Sequence, residues 1–447
     1  MFQSRAKLRN RPGILIYGQN YAPEMIGVGR FTGDIGAYLA EQGYAVTVVT
    51  APPHYPGWQV SPPFHAGRYA REMRAGAKVL RCPLYLRADM RGIWRLIAPL
   101  SFAISSAPVA LWQILTMRPD VVLCIEPTLF ASPVALLSRL FGSRVVLHVQ
   151  DLEVDAAFAV GHLKSGAIEK IISGVEGWLL RRFNSLITIS GQMRQRLIDK
   201  GVEPDRIGIV RNWVDLTKIK PLEGPNGFRR ELGLTDDDFV VLYAGNVGIK
   251  QDLDVVLDAA RTLAKKHKVH FVIAGNGPEK ARLMRDYGDL ETVHFLPLQP
   301  EARLCELLNL ADLHVLPQSS GAADLVLPSK LGGMLASGKP VLVTADAGTE
   351  LFEVLEGTSI LTPAGDSAAM ATEIERLVVE GKHPALGEGR LLAELFAREP
   401  CLKQFCAYLD PHHRDRSSRS SVHDMMASRA ENDPQVLMAS GALAEEK

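Results

Sequence analysis

Two lysines stand beside glycine and proline turns in this chain, in patterns that suit an anionic ligand. Gly245-Asn246-Val247-Gly248 follows the apolar run 239–243, with Lys250 two residues on. Gly275-Asn276-Gly277-Pro278 closes the next apolar run, 270–274. A glycine carries no Cβ, so a phosphate can approach backbone N–H groups at a positive helix start, and Lys250 adds a full charge. Leu327-Pro328-Ser329-Lys330 opens a predicted helix that ends at Ser337-Gly338. There Ser329, Lys330 and first-turn N–H groups would form a second anion-binding arrangement. Gly27 and Gly29 stand near the start of an earlier helix. A different chemistry is suggested by His148, Asp151, Glu153 and Asp155, which cluster at the end of the run 144–149. Carboxylates and a histidine at a strand's carboxyl end suit acid–base work, and Asp151 is the best single candidate. Asp151 and Asp155 could also ligate a cation, but no second histidine lies close in sequence. A tight turn, a capping serine and a solvated lysine explain each feature equally well when it is taken alone.

The elements that must position these residues are short β-branched runs alternating with helical periodicity. Leu253, Val256, Leu257, Ala260 and Ala264 form one apolar stripe, so 239–274 reads as a βαβ unit with a glycine turn closing each strand. Ligands of parallel α/β sheets bind at that end of the strands. Earlier strands are expected at 13–17, 45–50, 78–83, 120–125, 144–149, 185–189 and 206–210, with helices at 30–41, 168–183 and 191–199. After 216–227, rich in Pro and Gly without periodicity, the alternation restarts, with further strands at 293–296, 312–316, 340–344 and 359–361. This gives a basic extension at 1–12, one α/β domain at 13–217 and a second at 218–409. The last helices, 391–409, are expected to pack back on the first domain. The polar stretch 411–447 is expected to be disordered.

Fifty basic and fifty acidic residues cancel, so no global field points to nucleic acid. Five cysteines, an odd number without CxxC spacing, argue against a disulfide framework or zinc site and fit a reducing cytoplasm. The apolar run 13–17 is too short for a signal peptide. Charge is uneven locally. Arg68, Arg71, Arg74, Lys78, Arg81, Arg87, Arg91 and Arg95 face only Glu72 and Asp89. The following stretch, 93–117, is apolar with Arg95 its one charge, and Pro99 and Pro108 interrupt it. We expect helices that are part core and part membrane-facing, giving a basic and apolar patch on an anionic membrane surface. An ordinary buried helix is the rival. The loop His54-Tyr55-Pro56-Gly57-Trp58 could line a cleft or pack on the surface. A dinucleotide-binding dehydrogenase is disfavoured because the first glycine loop lacks G-x-G-x-x-G spacing and no acidic residue closes the second strand. Nor is GNVGIKQ a phosphate loop of the G-K-[ST] type.

The order and spacing of YAPEMIGVGRFTGDIGAYLAEQGYAVTVVTAPPHYP, HVQDLEVDAAFAVG, RNWVD, YAGNVGIKQ, GNGP and LPSKLGGMLASGKPV resemble the GT-B glycosyltransferases, more narrowly the retaining family four. The resemblance covers roughly residues 13–409. It implies two Rossmann-like doubly wound domains facing across a cleft. It implies metal-independent, retaining transfer from a nucleoside-diphosphate sugar, a co-substrate rather than a cofactor, with GDP-fucose the first guess. The implied acceptor is a saccharide on a polyprenyl-diphosphate carrier, met by a peripheral enzyme on the cytoplasmic face of the membrane. On this pattern Gly27, Gly29, Asn246, Lys250, Ser329 and Lys330 hold the donor diphosphate. Gly245, Gly275, Asn276, Gly277 and Asp324 border the nucleoside, and Asp151 and His148 face the acceptor. Many members carry Arg and Lys where this chain has Asn246 and Gln251, and two glutamates where it has Leu325 and Gly333. Two other functions fit the residues: a nucleotide-sugar epimerase of the same fold, and a non-catalytic nucleotide-sugar-binding subunit.

Overall fold

The computed structural model describes residues 11–87, 94–126, 129–152, 166–264, 266–319, 327–381 and 389–410. The expected disorder of 411–447, the basic extension up to residue 10, and Asp324 lie outside the described residues.

The first domain is built on one sheet of β1 (Gly13–Tyr17), β2 (Ala45–Thr50), β3 (Ala70–Arg74), β4 (Ala77–Arg81), β5 (Val121–Glu126), β6 (Arg144–Val149), β7 (Ser185–Thr188) and β8 (Ile207–Ile209). Their order is β3-β4-β2-β1-β5-β6-β7-β8. All pairs are parallel except β3 with β4. The central strands are buried on both faces, which is why they read as unbroken apolar runs. The second sheet holds β9 (Phe239–Ala244), β10 (Val269–Ala274), β11 (Val293–Leu296), β12 (Leu313–Leu316), β13 (Val341–Thr344) and β14 (Ile360–Thr362), in the order β11-β10-β9-β12-β13-β14 and parallel throughout. In both sheets the order reverses beside the first strand, the switch point at which α/β ligands settle.

Two expectations are corrected and one strand is added. The edge strand β3 carries Arg71, Glu72 and Arg74 and alternates only weakly, so it gave no apolar signal. The stretch with Pro99 and Pro108 is one helix, Trp94–Met117. Ala98, Phe102, Ser106, Ala110 and Ile114 bury one of its faces, and that burial holds the helix together through both prolines. Arg81 does not belong to a surface patch. It is 1% exposed, pairs with Glu72, and donates to the carbonyls of Ala51 (2.9 Å) and Ala22 (2.5 Å).

The chain returns to the first domain in its last described helix. In the helix Arg398–Leu409, Cys401, Leu402, Phe405 and Leu409 join a core with Ile14, Phe31, Ile35 and Trp213. Asp34 fixes the crossing, accepting from Trp213 Nε1 at 2.6 Å and from Arg398.

Candidate functional site

The glycine turns after β9 and β10 pack directly on each other. Gly245 N donates to the Ala274 carbonyl (2.9 Å), and Val247 N to the Asn276 carbonyl (2.9 Å). A Cβ on Gly275 would lie 1.8 Å from the Gly245 oxygen, and one on Gly277 would lie 2.1 Å from the Val247 oxygen. Both glycines are therefore required by loop–loop contact, whatever ligand lies beyond. The two turns form one backbone platform at the carboxyl end of the sheet. Lys280 braces it from below, its ammonium donating to the carbonyls of Gly275 (2.7 Å) and Leu296 (2.6 Å).

Lys330 completes this platform. Its Nζ lies 3.5 Å from where a Gly245 Cβ would stand, so an alanine there would crowd the lysine stem. The ammonium donates to the Tyr243 hydroxyl (2.7 Å) and rests 4.1 Å from that ring's centroid. The Tyr243 hydroxyl in turn donates to the Asn246 carbonyl (2.5 Å). The lysine is only half-buried, yet the protein packed around its ammonium disfavours charge and pulls its pKa down to about 7. Such an amine can answer the charge of a phosphate brought against it.

The other expected residues fall differently. Asn246 is half-buried, its side chain 3.5 Å from Gln251 Oε1. Lys250 is exposed on the single turn Ile249–Gln251, and its carbonyl accepts from Ser319 N at 3.1 Å. The helix expected from Leu327 begins only at Leu331, so Ser329 and Lys330 precede its first turn; Ser329 is exposed. Thus Gly245, Asn246, Gly275, Asn276, Gly277 and Lys330 come together around one platform. The exposed Lys250 is bonded through its backbone to Ser319 instead.

At the first sheet, packing explains the glycines. Gly27 has φ +67°, and its missing Cβ makes room for the Tyr55 ring at 3.0 Å. A Cβ on Gly29 would lie 2.1 Å from Glu24 Oε2. The buried Glu24 carboxylate also accepts from His54 N (3.0 Å) and Tyr55 N (3.1 Å), tying the aromatic loop to the turn after β1. A side chain of the chain itself thus sits beside this helix start. Packing within the chain accounts for Gly27 and Gly29 without a ligand.

His148 is also corrected. It is 0% exposed within β6, packs edge-on against Phe405 at 4.9 Å, and neither ring nitrogen has a hydrogen-bond partner among the described residues. Burial pulls its pKa down to about 3. A ring so enclosed is core, not an acceptor-side base. Asp151, two residues past the strand, is exposed and free of that constraint. The rest of its expected cluster, Glu153 and Asp155, lies outside the described residues.

Sequence reasoning missed Glu24, Tyr243, Lys280 and Glu350. Tyr243 was hidden in an apolar strand run. Glu24, acidic and just ahead of a glycine pair, was visible as a signal. Glu350 acts across the two sheets: its carboxylate accepts from Gly191 N (3.0 Å) and Gln192 N (2.9 Å) at the start of the helix Gly191–Asp199, with Arg211 at 3.5 Å.

The family model described as Glycosyl transferase 4-like domain matches residues 27–213, and that described as Glycosyl transferases group 1 matches residues 238–380. The chain is 38% identical over 404 residues to the putative colanic acid biosynthesis glycosyl transferase WcaI of Escherichia coli (strain K12), covering 88% of this chain and 98% of that one. It is 28% identical over 256 residues to a D-inositol 3-phosphate glycosyltransferase of Thermomonospora curvata, across 52% of this chain and 56% of that one. Among solved structures it resembles sucrose-phosphate synthase from Thermosynechococcus elongatus, with TM-score 0.69 at 16% identity, over 89% of this chain and 98% of that one. It also resembles Anabaena HepE in complex with UDP-glucose, with TM-score 0.64 at 16% identity, over 89% and 99%.

Proposed function

The chain belongs to the GT-B glycosyltransferases of family four, and on that premise we propose that it moves a sugar from a nucleoside-diphosphate sugar to a polyprenyl-diphosphate-linked saccharide in exopolysaccharide biosynthesis. The observation that carries this reading is the Lys330 ammonium set over the paired glycine turns. As the glycosidic bond breaks, the leaving diphosphate gains negative charge. A cation and backbone N–H groups already in place stabilise that charge without having to reorganise. Lys330 and, with a shift of its exposed side chain, Lys250 supply the charge that a metal ion supplies elsewhere. Among the described residues we identify no carboxylate nucleophile, and departure and attack on one face, with configuration retained, is the mechanism we favour. On this reading the exposed Asp151 orients or deprotonates the acceptor hydroxyl. Resemblance to a WcaI protein and to a UDP-glucose complex supports the donor class.

A lipid-linked acceptor calls for a membrane-facing surface. On the helix Trp94–Met117, Leu100, Ile104, Trp112 and Leu115 form an exposed stripe opposite the buried one; Ile104 is 68% and Trp112 64% exposed. Phe130, Leu137, Leu140 and Phe141 lie exposed on the segments packed beside it. Exposed Arg68 and Arg71 add positive charge nearby, and the Tyr69 hydroxyl donates to the Ser105 carbonyl of the helix. An apolar stripe edged with tyrosines and arginines suits the headgroup region of an anionic bilayer. We therefore place the enzyme peripherally on the cytoplasmic face.

The donor is tested by melting the purified protein against GDP, UDP, ADP, their sugar conjugates (GDP-fucose among them) and NAD. A ligand at ~100 times its dissociation constant adds roughly 2.7 kcal/mol of stability. A rise with one nucleoside diphosphate and its sugar is expected. A rise with NAD alone would overturn the donor class.

A further inference from the structure

Tyr243 fills a core position, its ring packed among Val241, Val256, Phe271 and Ile273 in the second domain. A phenylalanine would fill that space as well, so it is the hydroxyl that needs a reason. Buried hydroxyls are kept when they have partners. Both partners here belong to the platform: the hydroxyl accepts from Lys330 Nζ at 2.7 Å and donates to the Asn246 carbonyl at 2.5 Å. The ring face supports the same ammonium from 4.1 Å, and Gly245 clears the space through which the lysine stem passes. Lys330 comes from the segment before the helix Leu331–Ala336 and Asn246 from the turn after β9. The one oxygen thus joins two parts of the chain that are far apart in sequence. Burial also raises the phenol's own pKa, so it stays neutral and can serve as donor and acceptor at once.

We propose that Tyr243 is a positioning residue for the transfer reaction: its hydroxyl locks the Lys330 ammonium to the Gly245–Gly248 turn, so that cation and backbone N–H groups meet one donor diphosphate as a single preformed unit. This rests on the reading of Lys330 as a diphosphate ligand. At the low end of the pH range an unlocked lysine keeps its charge but must be ordered anew at each binding event. It also loses an acceptor that favours its charged form, so its charge is lost at lower pH.

The test measures dissociation constants of UDP and GDP, from pH 6 to pH 9, for the wild type, Tyr243→Phe, Lys330→Gln and the double variant. For whichever nucleotide binds, Tyr243→Phe is expected to weaken binding about tenfold at pH 8 but less than about threefold at pH 6. Its loss of affinity should begin at lower pH than in the wild type. Added to Lys330→Gln, it should weaken binding no further, because the hydroxyl acts through the lysine. An equal loss at every pH, or the same loss with and without Lys330, would overturn the proposal, since the tyrosine would then matter only to the fold. Unchanged binding in Tyr243→Phe would overturn it while leaving Lys330 as a ligand. Wild-type affinity in Lys330→Gln, or no binding by the wild type, would sink the diphosphate reading and the proposal with it. If Tyr243→Phe does not fold, 4-aminophenylalanine at position 243 keeps the ring and a donor to the Asn246 carbonyl, stays neutral from pH 6 to pH 9, and offers the lysine a poorer acceptor. A smaller loss with the same pH trend is then expected, and a pH-independent loss or none would overturn the proposal.

Discussion

Single residues here show how one letter serves different ends. Gly275 and Gly277 look like ligand glycines, and the sequence supports that reading, but the immediate constraint on each is a carbonyl of the neighbouring turn. No local pattern reveals that contact, because the turns lie thirty residues apart and meet only when β9 and β10 pair. Lys330 was legible as a cation near a proline-led helix; its seat on Tyr243 depended on tertiary structure. His148 misled because it stands in a polar cluster along the chain while its strand carries it into the core. Its burial, with no hydrogen-bond partner among the described residues, has a consequence for stability. A folded-state pKa of about 3 against an ordinary 6.5 means that the unfolded chain binds the extra proton between those values. The contribution is full above pH 6.5 and is lost as pH falls toward 3, by at most ~1.4 kcal/mol per pH unit. His314, buried and likewise near 3, adds to it. His148→Leu should therefore keep or raise the melting temperature at pH 7 and flatten its decline between pH 6.5 and 5. An unchanged decline would show that the histidine is not neutral in the core.

At the scale of elements, the parallel strands and their closing turns were readable because strands buried on both faces are continuously apolar. Elements that broke this rule were not. β3 is an edge strand of charged residues, held by antiparallel pairing to β4 and by the buried Arg81 against Glu72. The helix Trp94–Met117 was legible in composition but not in continuity, since two prolines argue for breaks and only the core face argues against them. Its opposite stripe makes a prediction about binding. Replacing Ile104, Trp112 and Leu140 by serine together removes three exposed apolar side chains and no core contact. Flotation with vesicles containing anionic lipid should recover the wild type and leave most of the triple variant behind, with melting temperatures alike. Equal flotation would place the membrane-facing surface elsewhere.

Across the whole molecule, the sequence showed two domains in order but little of what joins them. Arg398–Leu409 lies on the first core, and the Asp34 link to Trp213 and Arg398 that accompanies it has no local pattern, because its members lie 179 and 364 residues from Asp34. The same holds for Glu350, which caps a helix of the first domain from the second. A carboxylate at a helix start accepts orphan N–H groups and faces the positive end of the dipole. Glu350→Ala should cost ~1 kcal/mol, read as a fall in melting temperature, with Glu350→Gln losing less. No difference between the three proteins would mean that this contact adds nothing to the joined form.

The central claim is that a preformed cation and glycine platform on the second sheet drives sugar transfer. Its most direct test is the rate at which purified wild type and Lys330→Ala move label from the cognate nucleotide sugar to a lipid-linked saccharide in vesicles. Loss of one preorganised electrostatic group at a developing charge typically costs on the order of 100-fold or more in rate. The account predicts a fall of about that size in Lys330→Ala, with a melting temperature close to wild type. Transfer at the wild-type rate by Lys330→Ala would contradict it.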